Sequence, residues 1–222
     1  MVGTPRSQFV VFSFVFSRCP STLDRNHVQM ICPKHRHLVL MSKASRLGRV
    51  KTRLAREVGY VVAWMFHRRT LFNIARKLQS PKWTCWLSVS PARSRNNTHQ
   101  WPKFWTLIHQ GSGDLGARIL KPLCELPPGP MVIIGSDIPG IQASDIDAAF
   151  KALQKNDFVF GPCPDGGFWL IGAQRNGRIR DPFGGVRWST EHALRDVLAR
   201  LPKNARVAMI NELSDVDYAK DL

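Results

Sequence analysis

Short apolar runs alternate with helix-period stretches along most of this chain, and no other feature restricts its fold so strongly. The clearest run, Met131-Val-Ile-Ile-Gly135, has the unbroken apolar character of a strand buried on both faces. It opens into Ser136-Asp-Ile-Pro-Gly140, so a carboxylate, Asp137, stands at the strand's mouth before a Pro-Gly break. In the next stretch Ile146, Phe150 and Leu153 share one helical face, with Ser144 as the expected N-cap. Upstream, LVLM (38–41) leads through a basic loop into a helical stretch from about Thr52 to Leu78, and WTCWLSV (83–89) forms a second strand. A short strand is expected near 104–109, a helix over 115–124, and plain loop over 91–100. Downstream, FVFG and FWLIG flank the turn Cys163-Pro-Asp-Gly-Gly167. A helix over 189–201 would bury Leu194, Val197, Leu198 and Leu201, and strand RVAMI and a short terminal helix close the chain. This alternation predicts an α/β fold, a Rossmann-like three-layer sandwich whose mostly parallel sheet is covered on both faces. Such sheets collect ligands at the carboxyl ends of their strands, where Asp137 stands.

The composition points to an anionic partner. The chain has 222 residues, enough for one domain with a sizeable core, and carries a formal charge of +16. That excess fits a phosphorylated small molecule, a nucleic acid, or simply an arginine-rich solvated surface. Cys19, Cys32, Cys85, Cys124 and Cys163 are scattered, without the spacing of a zinc site, and suit a reducing cytoplasm. His35 and His37 directly precede a strand and lack a third ligand. The apolar run Phe9–Phe16 is too short to span a bilayer and is followed by a poor cleavage site. Residues 1–36 therefore read as an appendage, with Met30 as a candidate initiator, and 37–222 as the folded domain. Finding a native peptide upstream of Met30 would refute that start.

Five segments carry groups suited to chemistry. In Ser42–Leu54 the cations Lys43, Arg46, Arg49, Lys51 and Arg53 surround Gly48 ahead of a helix, an arrangement that suits phosphates, though without Walker spacing. Gln110-Gly-Ser-Gly-Asp-Leu-Gly116 opens another helix, and Gly111, Gly113 and Gly116, around Asp114, would let backbone approach a ligand, or form a plain turn. Asp137 alone suffices to anchor a Mg2+ or Mn2+ ion whose remaining ligands are phosphate and water; it could equally close a turn. The rigid Pro-Cys-Pro corner presents Asp165 before Gly166 and Gly167, and Asp-Gly is also a favoured hairpin turn. In Ser214-Asp-Val-Asp217, Asp217 could N-cap the last helix or give the metal a second carboxylate, with Asp215 close by.

The strings LVLMSKASRLGRVKTRLA, QGSGDLGARI, VIIGSDIPG, GPCPDGGFWLIG, GVRWST and DVDYAKDL, in that order from about His37 to Leu222, resemble a bacterial family of glycosyltransferase-A-like proteins. Its members include glycosyltransferases of the arsenosugar-biosynthesis type, within the nucleotide-diphospho-sugar transferase superfamily. The resemblance implies a GT-A-type nucleotide-binding domain. Its first loop, 42–54, would embrace nucleotide phosphates, Asp137 would match the acid of the metal signature, and Asp217 the second metal position of the nucleotidyltransferases. The chain departs from the pattern in reading Gly-Ser-Asp where a full Asp-x-Asp is expected, which leaves the metal one local acid.

Three readings of function follow. In glycosyl transfer from a nucleotide-diphosphate-sugar to a small-molecule acceptor, the metal and the loop cations, Lys51 and Arg46 foremost, would hold the leaving diphosphate, and Asp165 would be the base. Trp169 and Trp188 would wall the acceptor side, or else belong to the core. In nucleotidyl transfer from an NTP, an ionised acceptor phosphate attacks and needs no base. A basic nucleic-acid-binding module draws on the charge and the aromatic residues but lacks a recognised motif, so no nucleic-acid partner is expected. No membrane span is expected either.

Overall fold

The structure, a computed structural model, describes residues 35–175 and 181–221. Nearly all of the expected appendage, residues 1–34, lies outside the described residues, as does the candidate initiator Met30. Among the described residues seven strands form one sheet: β1 (His37–Lys43), β2 (Thr84–Ser90), β3 (Thr106–His109), β4 (Met131–Gly135), β5 (Phe158–Pro162), β6 (Phe168–Ala173) and β7 (Val207–Met209). Their order is β3-β2-β1-β4-β6-β5-β7, and β6 runs antiparallel to both of its neighbours. The helices are α1 (Thr52–Val58), α2 (Tyr60–Lys77), α3 (Leu115–Glu125), α4 (Ala143–Ala152) and α5 (Ala193–Arg200).

Strand pleating divides the core into two layers. Leu38 and Leu40 of β1 join Leu71, Ile74 and Leu78 from α2 and its end, and Ile146 and Phe150 of α4. Val39, between them, turns to the other face with Ile119 and Leu123 of α3 and Val197 of α5. The sheet is thus mostly parallel and lies between helices, as the alternation predicts.

Several local expectations are corrected. The stretch 52–78 is two helices, because Gly59 (φ 84°) both ends α1 and starts α2. Helix α4 is capped by Gln142 in a reciprocal box with Asp145, not by Ser144. In α5 Val197 is buried, while Leu194, Leu198 and Leu201 are only half-buried against the core. Residues 92–96 and 98–100 form short 3-10 turns instead of plain loop.

Two features of this topology build the site. The connection leaving β1 runs to β2 on one side and the connection leaving β4 runs to β5 on the other, so the carboxyl ends of β1 and β4 flank a switch point. Because β6 is antiparallel, with Ile134 opposite Leu170, its first residues Phe168 and Trp169 lie beside the end of β4.

Candidate functional site

At this switch point lies a cavity of about 600 Å³. Its floor is cross-linked by buried polar groups: Ser136 Oγ donates to Ser42 Oγ at 3.1 Å, and Gln110 Nε2 donates to the carbonyls of Ser42 and Ser88. These bonds fix the ends of β1, β2 and β4 relative to one another, since buried polar groups left unpaired are costly.

Lys51 is the centre of the cavity's electrostatics. Its side chain is only 5% exposed, and its Nζ lies 3.1 Å from Asp217 Oδ1 and 3.5 Å from Asp137 Oδ1. Arg53 Nη1 holds the other oxygen of Asp217 at 2.8 Å. Lys51 adopts a left-handed backbone (φ 46°), a conformation that costs a non-glycine residue roughly 1–2 kcal/mol. Strain of this kind collects where a side chain must be aimed. Burial pushes the Asp217 carboxyl up, but the charge and hydrogen bonds of Lys51 and Arg53 outweigh it, so its pKa lies below the ordinary value. Burial also raises Asp215, reinforced by the negative charge of Asp217.

The expected residues separate into those that meet here and those that do not. Lys43, Lys51, Arg53, Gly113, Asp114, Asp137, Trp169 and Asp217 line the cavity. Asp114 caps α3, accepting from Ala117 N at 2.9 Å, while Arg118 of the first turn joins the lining. Gly113 (φ 95°) has no room for a side chain, because a Cβ would approach that of Ala117 to 2.9 Å. Trp169 presents one edge to the cavity but is 2% exposed and donates Nε1–H to Asn211 O. Arg46 and Gly48 are exposed and outside the lining; Gly48 (φ 71°) shapes the turn closed by Arg49 N and Arg46 O. Gly111 is packed by Lys121, and Trp188 packs against Phe168 and Phe183; neither reaches the cavity. Asp165 also stays outside it, and its Oδ1 accepts from Gly167 N at 2.9 Å within the hairpin turn. Asp217 does not cap the last turn: its carboxylate accepts from Lys51 and Arg53, and the turn's first N–H, of Ala219, donates to Glu57 Oε2 at 2.7 Å.

Among the cavity residues that the sequence reading does not single out are Arg118 and a buried histidine. His67 of α2 is 4% exposed, and its Nδ1 pairs with Ser45 Oγ at 2.8 Å. Burial lowers its pKa; Asp137 opposes the shift, while Lys51 and Lys43 add to it. A histidine in a helical pattern gives no sign of which wall it will join; only the docking of α2 against the 42–51 loop reveals it.

Among the described residues, no group of three or more His, Cys, Asp or Glu side chains is arranged for a metal ion. The donor set nonetheless fits magnesium or manganese in the presence of phosphate. Asp137 and Asp217 direct oxygens at one ammonium, so a cation is already held between two carboxylates. One or two protein carboxylates are what such ions take beside water and substrate oxygens.

Comparison with solved structures shows the same fold. A protein of Desulfovibrio desulfuricans G20, provisionally assigned as a nucleotide-diphospho-sugar transferase, superposes with a TM-score of 0.73 at 24% identity, over 82% of each chain. The inositol-1-phosphate CTP transferase of T. maritima gives 0.52 at 12% identity, over 85% of this chain and 92% of the other. The 4-diphosphocytidyl-2C-methyl-D-erythritol synthase of Anaerococcus prevotii DSM 20548 gives 0.51 at 12%, over 85% and 94%. No curated protein sequence matches the chain. A family profile does match, over residues 73–190, more than half of the chain. The chain belongs to the family described as uncharacterized protein conserved in bacteria, DUF2064.

Proposed function

We propose that this chain is an enzyme, a nucleotide-dependent transferase that uses a nucleotide-diphosphate-sugar with a divalent cation and passes the sugar to a small acceptor. The observation that carries the reading is the buried Lys51 ammonium shared by Asp137 and Asp217 at the β1–β4 switch point. The similarity to the Desulfovibrio protein favours a sugar donor over other nucleotides.

Asp137 and Asp217 would hold the cation. Magnesium or manganese, when bound, supplies Lewis acidity to the leaving diphosphate. Lys51 would hand its contacts from the carboxylates to phosphate oxygens, and Lys43, Arg53 and Arg118 would add charge-assisted hydrogen bonds. The amino-terminal turn of α3, with Gly113 free of a side chain, offers backbone N–H groups to the same anion. Preorganised donors of this kind lower the barrier because they need no reorientation as charge develops.

A second reading, nucleotidyl transfer from an NTP to a phosphorylated acceptor, is favoured by one observation. Asp165, the base expected for a sugar acceptor, spends a carboxylate oxygen on its own turn outside the cavity. An acceptor phosphate is already ionised and needs no base. The two cytidylyl-transferring proteins of the same fold point the same way.

A thermal-shift screen separates the readings. With magnesium or manganese, UDP- and GDP-sugars, nucleoside diphosphates and the four NTPs would each be tested. Metal-dependent stabilisation by one diphosphate-sugar is the expected result. A response confined to one NTP moves the assignment to nucleotidyl transfer, and silence to all ligands refutes both.

A further inference from the structure

Helix α2 is apolar on the side that packs and again on the side that does not. Its inner stripe, Ala63, Leu71, Ile74 and Ala75, is buried. On the outside, Tyr60, Val61, Val62 and Met65 are 50–57% exposed. A shallow depression of about 390 Å³ adjoins them, lined by Trp64, Met65, Arg68, Arg69 and Phe72. Apolar residues grouped on a surface in this way mark an interaction site.

The charge on this face says what kind of surface it meets. From Tyr60 to Lys77 the helix has no acid, and it carries Arg68, Arg69, Arg76 and Lys77. Arg68 lies over the ring of Phe72, 5.2 Å from its centroid, so cation and apolar surface are interleaved, not segregated. Nucleic acid would use the cations but leave Val61, Val62 and Met65 without a partner. An anionic lipid surface uses both, with side chains entering the acyl boundary and arginines staying among the headgroups.

We propose that the outer face of α2 docks on an anionic membrane surface. The helix lies on the bilayer; among the described residues none is long and apolar enough to cross it. The proposal stands apart from the transferase reading, because none of Val61, Met65, Arg68 and Arg69 lines the cavity.

The test is co-sedimentation of the full-length chain with phosphatidylglycerol vesicles and with phosphatidylcholine vesicles. The wild type is expected on the anionic vesicles only, and less at high salt. Val61→Ser with Met65→Ser, and separately Arg68→Gln with Arg69→Gln, should each weaken partition on the order of tenfold, with unchanged melting temperature and circular dichroism. Absence of binding to phosphatidylglycerol vesicles overturns the proposal. So does binding that both variants retain, which would assign it to another part of the chain. A self-associating wild type that the Val61/Met65 variant renders monomeric, with no lipid binding, assigns the face to a second copy. Oligonucleotide binding lost in the arginine variant but kept in the Val61/Met65 variant assigns it to nucleic acid.

Discussion

Two turns at the same edge of the sheet each carry an acid framed by proline and glycine, and the two acids have different freedom to act. Ser136-Asp-Ile-Pro-Gly140 follows β4, and Cys163-Pro-Asp-Gly-Gly167 follows β5, a strand that runs in the same direction. Asp137 is 48% exposed and faces the Lys51 ammonium, with its backbone carbonyl pinned by Val216 N. Asp165 is turned onto Gly167 N, and the turn is closed by Gly166 N on Cys163 O. Two strand spacings, about 10 Å, separate β4 from β5. That offset decides the outcome: one acid opens onto the switch point, and the other stabilises a hairpin. An acid at a strand end faces open space only where the topology leaves a gap above it.

The contrast breaks if the two acids prove interchangeable. Asp137→Ala should abolish the metal-dependent part of nucleotide binding, weakening it about a hundredfold or more by titration calorimetry. Retained metal dependence would remove Asp137 from the cation site.

The structural character of the second turn is sharpened by Gly166→Ala. Gly166 has φ +81°, and a Cβ there would run into the Glu191 backbone. The substitution should cost about 1–3 kcal/mol in denaturant unfolding while leaving nucleotide affinity of the folded protein unchanged. An affinity loss would place the 163–167 turn in the site after all.

A smaller effect separates the cavity's own titrating groups. Asp217 has a depressed folded-state pKa, so its stabilisation is present above the ordinary carboxylate value and lost as pH falls through the folded one. His67, depressed by burial, behaves alike in a higher window: folding favours the neutral ring, and stability falls as pH drops below about 6.5. Melting temperature against pH should therefore show two descending limbs. Asp217→Asn should flatten the lower limb and His67→Gln the upper. An upper limb that survives in His67→Gln would assign it to another group.

Much of this architecture was legible because strands and helices announce themselves by period. The apolar run at 131–135 and the amphipathic stretch after it could hardly fold otherwise, and a basic loop after the first strand of an α/β sheet points at the switch point. What could not be read is which of the loop's cations turn inward. The Lys51 side chain is buried, on a left-handed backbone, and Arg46 is exposed. Nor does sequence separate an acid that faces solvent from one consumed by its own turn, as Asp137 and Asp165 show. The antiparallel placement of β6, which brings Trp169 to the cavity, is a tertiary choice without a local signal.

The smallest effect is expected at Asp165, and it bears directly on the two chemistries. Asp165→Asn keeps an oxygen to accept from Gly167 N, so the turn should survive with melting temperature nearly unchanged. If the reaction is nucleotidyl transfer, turnover should stay within a few-fold of wild type, since no proton needs to leave the acceptor at this position. If it is glycosyl transfer with Asp165 as base, kcat should fall on the order of a hundredfold or more with KM little changed, because an amide cannot take the acceptor's proton. The second outcome would also require the 163–167 turn to release its carboxylate on substrate binding. That movement would appear as a change in the Gly167 amide resonance when donor and acceptor are both present.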